Sequence, residues 1–277
     1  LETSQARLDG EFHGSGCTLA ATLSAAMARG LSVRDAVPLT ESFVRQALLH
    51  ADRPRDTGQF IPNRLAALTQ RPMRIHGIYA ITDASLGDEL LTKARLALIG
   101  GVRVLQYRDK SSNQAKRLLE ASALAALCRE FGAVFIVNDD IALAQAAAAD
   151  GVHLGQSDGQ VAHARAVLGR AAIIGVTCHN DLSLARNAVA AGADYLAFGA
   201  MFASPTKPQA QLCSLDILRV ARAEFSLPLV AIGGISVDTI APIRNAGADA
   251  IAVISELWRS DDTLTRSQRL TQEIYTQ

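Results

Sequence analysis

The tetrapeptide Ala-Gly-Ala-Asp occurs twice, at residues 191–194 and 246–249, each time directly before a short apolar run. Ala149, Asp150 and Gly151 precede a third run of this kind, and Gly100 and Gly101 a fourth. Each reads as a helix that ends on or beside Gly, then a strand of apolar, β-prone residues. Gly relieves the steric cost of the left-handed turn that closes a helix. A chain that repeats helix, tight turn and buried strand builds a parallel sheet. The strands fall at 77–82, 102–107, 134–138, 152–154, 172–176, 195–198, 229–232 and 250–254, with helical stretches such as 86–99, 114–131 and 215–224 between them. Eight such units in about 180 residues predict an α/β fold, a closed (β/α)8 TIM barrel a little shorter than the usual ~250 residues. A doubly wound open sheet is the rival. No GxGxxG turn follows the first strand, which weakens a dinucleotide reading of that rival.

The barrel pattern does not extend to the front of the chain. Two helical patterns, 16–29 and 33–50, come before a charged, Pro-containing stretch at 51–57 and a second Pro at Pro72. The expected division is a helical segment with linker at 1–70 and a barrel at 71–277. With 49% hydrophobic residues in 277, a sizeable core is available. Lys plus Arg and Asp plus Glu balance at 27 each, so no global charge points to nucleic acid or a membrane surface. Attraction for an anionic small molecule must then come from locally placed cations. The four cysteines are scattered without a CxxC pair, which fits reduced thiols in a cytoplasmic protein. No apolar run approaches the ~20 residues of a membrane helix, and no signal-peptide pattern opens the chain.

In such barrels the chemistry sits at the C-terminal ends of the strands. The second strand ends in Gln106, Arg108 and Lys110, which a period of two places on one face of an extended segment. Arg as a bidentate fork and Lys as a point charge suit a phosphate. Asn138 and Asp139 follow the third strand and Asp158 the fourth. Carboxylates on neighbouring loops can hold Mg2+ together with substrate phosphate oxygens. They can equally cap the helices that follow, and the residues alone leave both readings open. Gly233 and Gly234 after the seventh strand, with Ile254 and Ser255 after the eighth, occupy the usual phosphate place of this fold. His153 within a strand and His163 on a helix read as packing or surface residues. His179 either touches substrate or orients a loop. Cys178 and Cys213 have no His partner at a meaningful spacing, so no catalytic thiol is expected.

Taken in order, Gly77-Ile-Tyr-Ala-Ile-Thr-Asp83, Gln106-Tyr-Arg-Asp-Lys110, Val137-Asn-Asp139, Gly151-Val-His-Leu-Gly-Gln-Ser-Asp158, Gly175-Val-Thr-Cys-His-Asn180, the stretch 202–207, Ala231-Ile-Gly-Gly-Ile235 and Val253-Ile-Ser255 resemble the thiamine-phosphate synthase family. The resemblance covers about residues 76–258. It implies a transferase that joins 4-amino-5-hydroxymethyl-2-methylpyrimidine diphosphate to 4-methyl-5-(β-hydroxyethyl)thiazole phosphate and releases pyrophosphate. It further implies that Arg108, Lys110, Asn138 and Lys207 hold the diphosphate, with Gln106 and Thr177 in the same site. Asp139 and Asp158 would carry Mg2+, and Ser204, Pro205, Thr206, Gly234, Ile254 and Ser255 would bind the thiazole phosphate. This sequence departs from the family at Thr177, where Ser is frequent, and at Ala203 and Ser204, where Pro-Thr is frequent; a hydroxyl is kept in both cases.

The front segment resembles something else. His13-Gly-Ser-Gly-Cys-Thr18 before an Ala-rich helix is similar to the C-terminal end of hydroxymethylpyrimidine (phosphate) kinase, a ribokinase-like enzyme. Only the last quarter of such a kinase is represented, so the expectation is a structural remnant or truncated fusion rather than an active kinase. Its Ala/Leu-rich surface asks for a partner: the barrel, another subunit of a homo-oligomer or a kinase body. Two rivals to the synthase reading are a thiazole tautomerase-like barrel and a non-catalytic thiamine-phosphate binding protein. The diphosphate and Mg2+ residue set argues against the first.

Overall fold

The structure is a computed structural model and describes residues 11–28, 31–49, 51–52, 59–64, 75–156, 160–203, 211–259 and 262–275. The chain divides into two compact units, Leu1–Arg74 and Ile75–Gln277. In the first unit, α1 (Ser15–Ala28) packs on α2 (Val33–Leu49). Ala36, Thr40, Val44 and Ala47 are buried along α2, at the spacing of one helical face. Thr18 secures the start of α1: its hydroxyl donates to the Gly14 carbonyl and accepts from Arg64 Nε. The Phe12 and Phe60 rings lie 5.6 Å apart where a short parallel bridge joins the same two residues.

The second unit is the barrel that the repeats imply. Its strands are β1 (Gly77–Ile81), β2 (Val104–Tyr107), β3 (Val134–Asn138), β4 (Gly151–Leu154), β5 (Ile173–His179), β6 (Tyr195–Phe198), β7 (Leu229–Ile232) and β8 (Ala250–Val253). They pair in parallel and in sequence order, and β8 returns to β1. Around them run α3 (Leu90–Ile99), α4 (Gln114–Phe131), α5 (Ile141–Ala146), α6 (Val161–Leu168), α7 (Leu182–Ala190), α8 (Asp216–Glu224), α9 (Ile240–Asn245), α10 (Ser255–Trp258) and α11 (Thr263–Tyr275). The strands are buried on both faces, which is why they read as continuous apolar runs rather than as alternation. Asn113, Asp140 and Asp181 cap α4, α5 and α7 by accepting from backbone N–H groups of the first turn.

Side chains separate into two layers. Those facing the helices form the larger core, and those facing inward fill the barrel with Tyr79, Val104, Ile136, Ile173, Tyr195 and Val230 among others. Tyr79 and Tyr195 meet edge to face, with ring centroids 6.1 Å apart. The Tyr195 ring lies against Gly175 of β5, where an added methyl would overlap it. Glycine there makes room for a tyrosine across the barrel.

The Ala-Gly-Ala-Asp echo has a structural purpose at the N-terminal end of the strands. Asp194 accepts the Ile174 N–H at 2.8 Å, and Asp249 accepts the Leu229 N–H at 2.8 Å. Asp150 does the same for the Phe135 N–H at 2.9 Å. Each carboxylate thus takes a backbone donor near the start of the preceding strand, one the ladder would otherwise leave unpaired. Arg165 pairs with Asp194 at 2.6 Å and Arg222 with Asp249 at 2.8 Å. Burial pushes the Asp249 carboxyl above its ordinary pKa, opposed by the Leu229 N–H and Arg222.

Two stability measurements check this packing. Asp249→Ala orphans the buried Leu229 N–H and should lower the unfolding free energy by about 1–3 kcal/mol in a denaturant titration. Gly175→Ala should cost about as much through overpacking against Tyr195. Wild-type stability in either variant would contradict the corresponding contact.

Candidate functional site

The C-terminal rim of the barrel carries two separate cavities, with a chain of polar side chains inside the barrel. The first cavity, of about 350 Å3, lies beyond β2 and β3 and is lined by Lys110, Asn138, Asp139, Asp109, Arg117 and Asp140, with Ser111. The two carboxylates that follow β3 have different roles. Asp140 caps α5 through the Leu143 N–H and pairs with Arg117 at 2.9 Å. Asp139 is not the cap: it adopts a left-handed backbone with φ 63°, a conformation Asp tolerates better than most residues. Its N–H donates to the His153 carbonyl at 2.8 Å. Burial works against charge on Asp109, yet the Ser111 N–H and hydroxyl, followed by Lys116, bring its carboxyl below the ordinary pKa. The cavity presents lysine and arginine beside carboxylates, with a side-chain amide among them.

Gln106, Arg108 and Lys110 do not share one extended face as the spacing suggested. β2 ends at Tyr107, because the Arg108 N–H leaves the ladder and donates to Thr82 Oγ1 at 2.9 Å. Gln106 points into the barrel, Arg108 is half-buried beyond the strand end, and Lys110 reaches the cavity shared with Asn138 and Asp139.

Inside the barrel, a continuous line of hydrogen bonds crosses from β2 to β5. Gln106 Nε2 donates to the Tyr79 hydroxyl at 2.8 Å, and the Tyr79 and Tyr195 hydroxyls lie 2.8 Å apart. Tyr195 meets His153 Nδ1 at 2.8 Å, and His153 Nε2 meets Thr177 Oγ1 at 2.8 Å. Burial raises the pKa of both phenols well above its ordinary value, so they stay protonated. Thr177 sits at a break in the β5–β6 register, which resumes at His179 with φ 50°. A bulge there re-aims the strand end toward the rim. The register also sets Asn138 opposite His153, so this line abuts the first cavity.

The second cavity, of about 390 Å3, lies beyond β7 and β8 and includes Gly233, Gly234, Ile254 and Ser255. Gly234 has φ 61°, and a Cβ there would meet the Phe202 carbonyl oxygen at 2.6 Å. Only glycine permits this approach of two backbones. Glu256, Arg259 and Arg266 line the outer wall, with Glu256 and Arg266 paired at 3.0 Å. Of the residues read from the sequence, Asp158, Ser204, Pro205, Thr206 and Lys207 lie outside the described residues.

Other polar candidates resolve against chemistry. His179 is exposed, and its carbonyl accepts from the Gly199 N–H and Cys213 Sγ, a loop-positioning role. Cys178 is buried, and burial pushes its thiol up to about 12; Cys213 is raised for the same reason. His153, read as packing, is instead a lumen-facing hydrogen-bonding group. Its place in the alternation Gly151, His153, Gly155 was the only signal, and its partner Tyr195 stands 42 residues further along the chain.

Comparison with known proteins agrees with this architecture. A thiamine monophosphate synthase family model matches residues 78–257, and a phosphomethylpyrimidine kinase model matches residues 1–60. A thiamine-phosphate synthase of Thioalkalivibrio sulfidiphilus is 50% identical over 73% of this chain and 97% of its own length. Another, of Alcanivorax borkumensis, is 52% identical over 69% of this chain and 88% of its own. The solved structure of thiamine phosphate pyrophosphorylase from Pyrococcus furiosus superposes with a TM-score of 0.68 at 32% identity, covering 74% of this chain and 98% of that one. On this match, which spans the whole barrel at high identity, the chain belongs to the thiamine-phosphate synthase family.

Proposed function

We propose that the barrel couples 4-amino-5-hydroxymethyl-2-methylpyrimidine diphosphate to 4-methyl-5-(β-hydroxyethyl)thiazole phosphate, with two anion sites on one rim. The observation that carries this reading is the pair of cavities: one with Lys110, Asn138 and Asp139, and one with Gly234, Ile254 and Ser255. The first suits a diphosphate, held by Arg108, Lys110, Asn138 and Lys207, with Gln106 and Thr177 against the pyrimidine end. The second suits a phosphate monoester, to which Ser204, Pro205 and Thr206 would add their loop. The domain division follows: residues 71–277 do the chemistry, and residues 1–70 form a kinase-like helical element that supplies none of these groups.

Mg2+ fits the first cavity by donor type. Asp139 offers hard carboxylate oxygens beside Lys110, and Asp158 would be the second protein ligand. Among the described residues no three His, Cys, Asp or Glu side chains converge into a metal cage. Mg2+ needs none, since it takes one or two protein carboxylates and fills its shell with phosphate oxygens and water. When bound, it would neutralise charge on the departing pyrophosphate.

In the reaction the C–O bond between the pyrimidine methylene and the diphosphate breaks, and pyrophosphate leaves with the electron pair. The thiazole nitrogen lone pair then forms the new C–N bond. Lys110, Arg108 and Lys207 stabilise the leaving charge, while the second cavity holds the thiazole nitrogen toward the methylene carbon. No protein nucleophile takes part. Among the described residues no helix is long and apolar enough to cross a membrane. The free thiols support a reducing, cytoplasmic setting.

Incubation with both substrates and Mg2+ should yield thiamine phosphate and pyrophosphate, and a chelator should stop it. Binding of both substrates without product would sink this reading. Lys207→Ala should lower kcat by about 100-fold or more, the usual loss when a leaving-group partner is removed; near-normal turnover would refute its role. Iodoacetamide at mildly alkaline pH should modify exposed Cys17 and leave turnover intact, because the other three thiols are buried and Cys128 and Cys178 are pushed up to about 12. Inactivation through Cys178 would contradict the absence of a thiol role.

A further inference from the structure

The line of hydrogen bonds inside the barrel can be assigned a direction by counting protons. Gln106 Nε2 has only protons to offer, so it donates to the Tyr79 hydroxyl. Tyr79 carries one proton of its own, and among the described residues the acceptor it reaches is the Tyr195 hydroxyl. Tyr195 then has its own proton to place, and its remaining partner is His153 Nδ1. That nitrogen must be an unprotonated acceptor, so the neutral ring carries its proton on Nε2 and donates to Thr177 Oγ1.

With Gln106 Nε2 as the donor, the opposite direction fails. With Nδ1–H donating to Tyr195, Tyr195 would donate to Tyr79, and Tyr79 would accept twice while its own proton pointed into apolar surroundings. Tyr79 is 2% exposed and Tyr195 0%, so no solvent compensates. A doubly protonated His153 fails in the same way at Tyr195. The imidazole also lies nearly parallel to the Tyr195 ring, 5.5 Å between centroids and 25° between planes, which fixes its orientation.

We infer that His153, oriented by Tyr195 and Tyr79, is a positioning residue whose Nε2–H holds the Thr177 oxygen and turns the Thr177 hydroxyl proton outward as a donor to the pyrimidine diphosphate. The Thr177 oxygen accepts from His153, and among the described residues no protein group takes the Thr177 hydroxyl proton. The side chain therefore meets the substrate as a donor, suited to a ring nitrogen or a diphosphate oxygen and unsuited to an amino group. The inference rests on the reading that places Thr177 and Gln106 in the pyrimidine diphosphate site. His153, Tyr195 and Tyr79 act on the substrate through Thr177.

Two measurements test it. In 15N NMR of the wild-type chain, the His153 ring, assigned through its Overhauser contact to the Tyr195 ring, should show a protonated Nε2 and an unprotonated Nδ1. A protonated Nδ1, or a ring protonated at both nitrogens, overturns the inference. In Tyr195→Phe, which keeps the ring over Gly175, both neutral tautomers should appear. Its kcat/KM for the pyrimidine diphosphate should fall by about 10- to 100-fold, as for lost orienting partners elsewhere, with the KM for thiazole phosphate unchanged. Wild-type kinetics in that variant overturn the inference, as does an equal loss for both substrates. If the wild type made no thiamine phosphate, the functional reading would fail by itself, and the tautomer would still decide the direction of the chain.

Discussion

Two tyrosine rings fill the middle of the barrel, and their hydroxyls have to be satisfied where water does not reach. Burying a ring of this size contributes roughly 4–6 kcal/mol by its apolar area. Each unsatisfied hydroxyl would take back about 1–3 kcal/mol. The rings therefore fit only with polar partners around them, and Gln106 and His153 supply these from β2 and β4. Glycine at 175 follows from the same packing, since any side chain there would displace Tyr195. Inward-facing strand residues continue upward into the rim, so what fills the interior also fixes where the rim side chains stand.

On the proposed function, the rim divides its work between two kinds of anion holder. Beyond β2 and β3, side-chain charges from Lys110 and Arg117 converge near Asn138 and Asp139. Beyond β7 and β8, close backbone approach at Gly234 adjoins a cavity of small and apolar residues with Glu256, Arg259 and Arg266 on its outer wall. A chain with balanced formal charge has no long-range field to gather phosphates, so both sites depend on local placement. That arrangement suits a reaction in which one phosphate group must leave with its electrons while another only anchors its substrate.

Much of the fold was legible because parallel strands buried on both faces produce continuous apolar runs, and helix-ending glycines punctuate them. Strand edges were less so. β5 runs to His179, past the register break at Thr177 and beyond the apolar run that marks its start in the sequence. The last helix, Thr263–Tyr275, was not read at all, because Thr263, Ser267 and Thr271 share its buried face with Leu270 and Ile274. The Ser267 and Thr271 hydroxyls bond to carbonyls, Thr271 to that of Gly100, so the face is buried without being apolar. At the site, Asp139 and Asp140 both precede a helix in sequence; the capping bond to Leu143, the Arg117 pair and the left-handed backbone of Asp139 separate them. His153 looked like packing because its partners are fixed by strand pairing, which brings β4, β5 and β6 together.

The central claim is that the two cavities hold different anions independently. Titration calorimetry of pyrophosphate with Mg2+, and separately of thiazole phosphate, against wild type, Lys110→Ala and Gly234→Ala tests this most directly. Lys110→Ala should weaken pyrophosphate by at least about tenfold and leave thiazole phosphate alone, with Gly234→Ala doing the reverse. Both ligands weakened equally by either variant, or pyrophosphate unaffected by Lys110→Ala, would contradict the account.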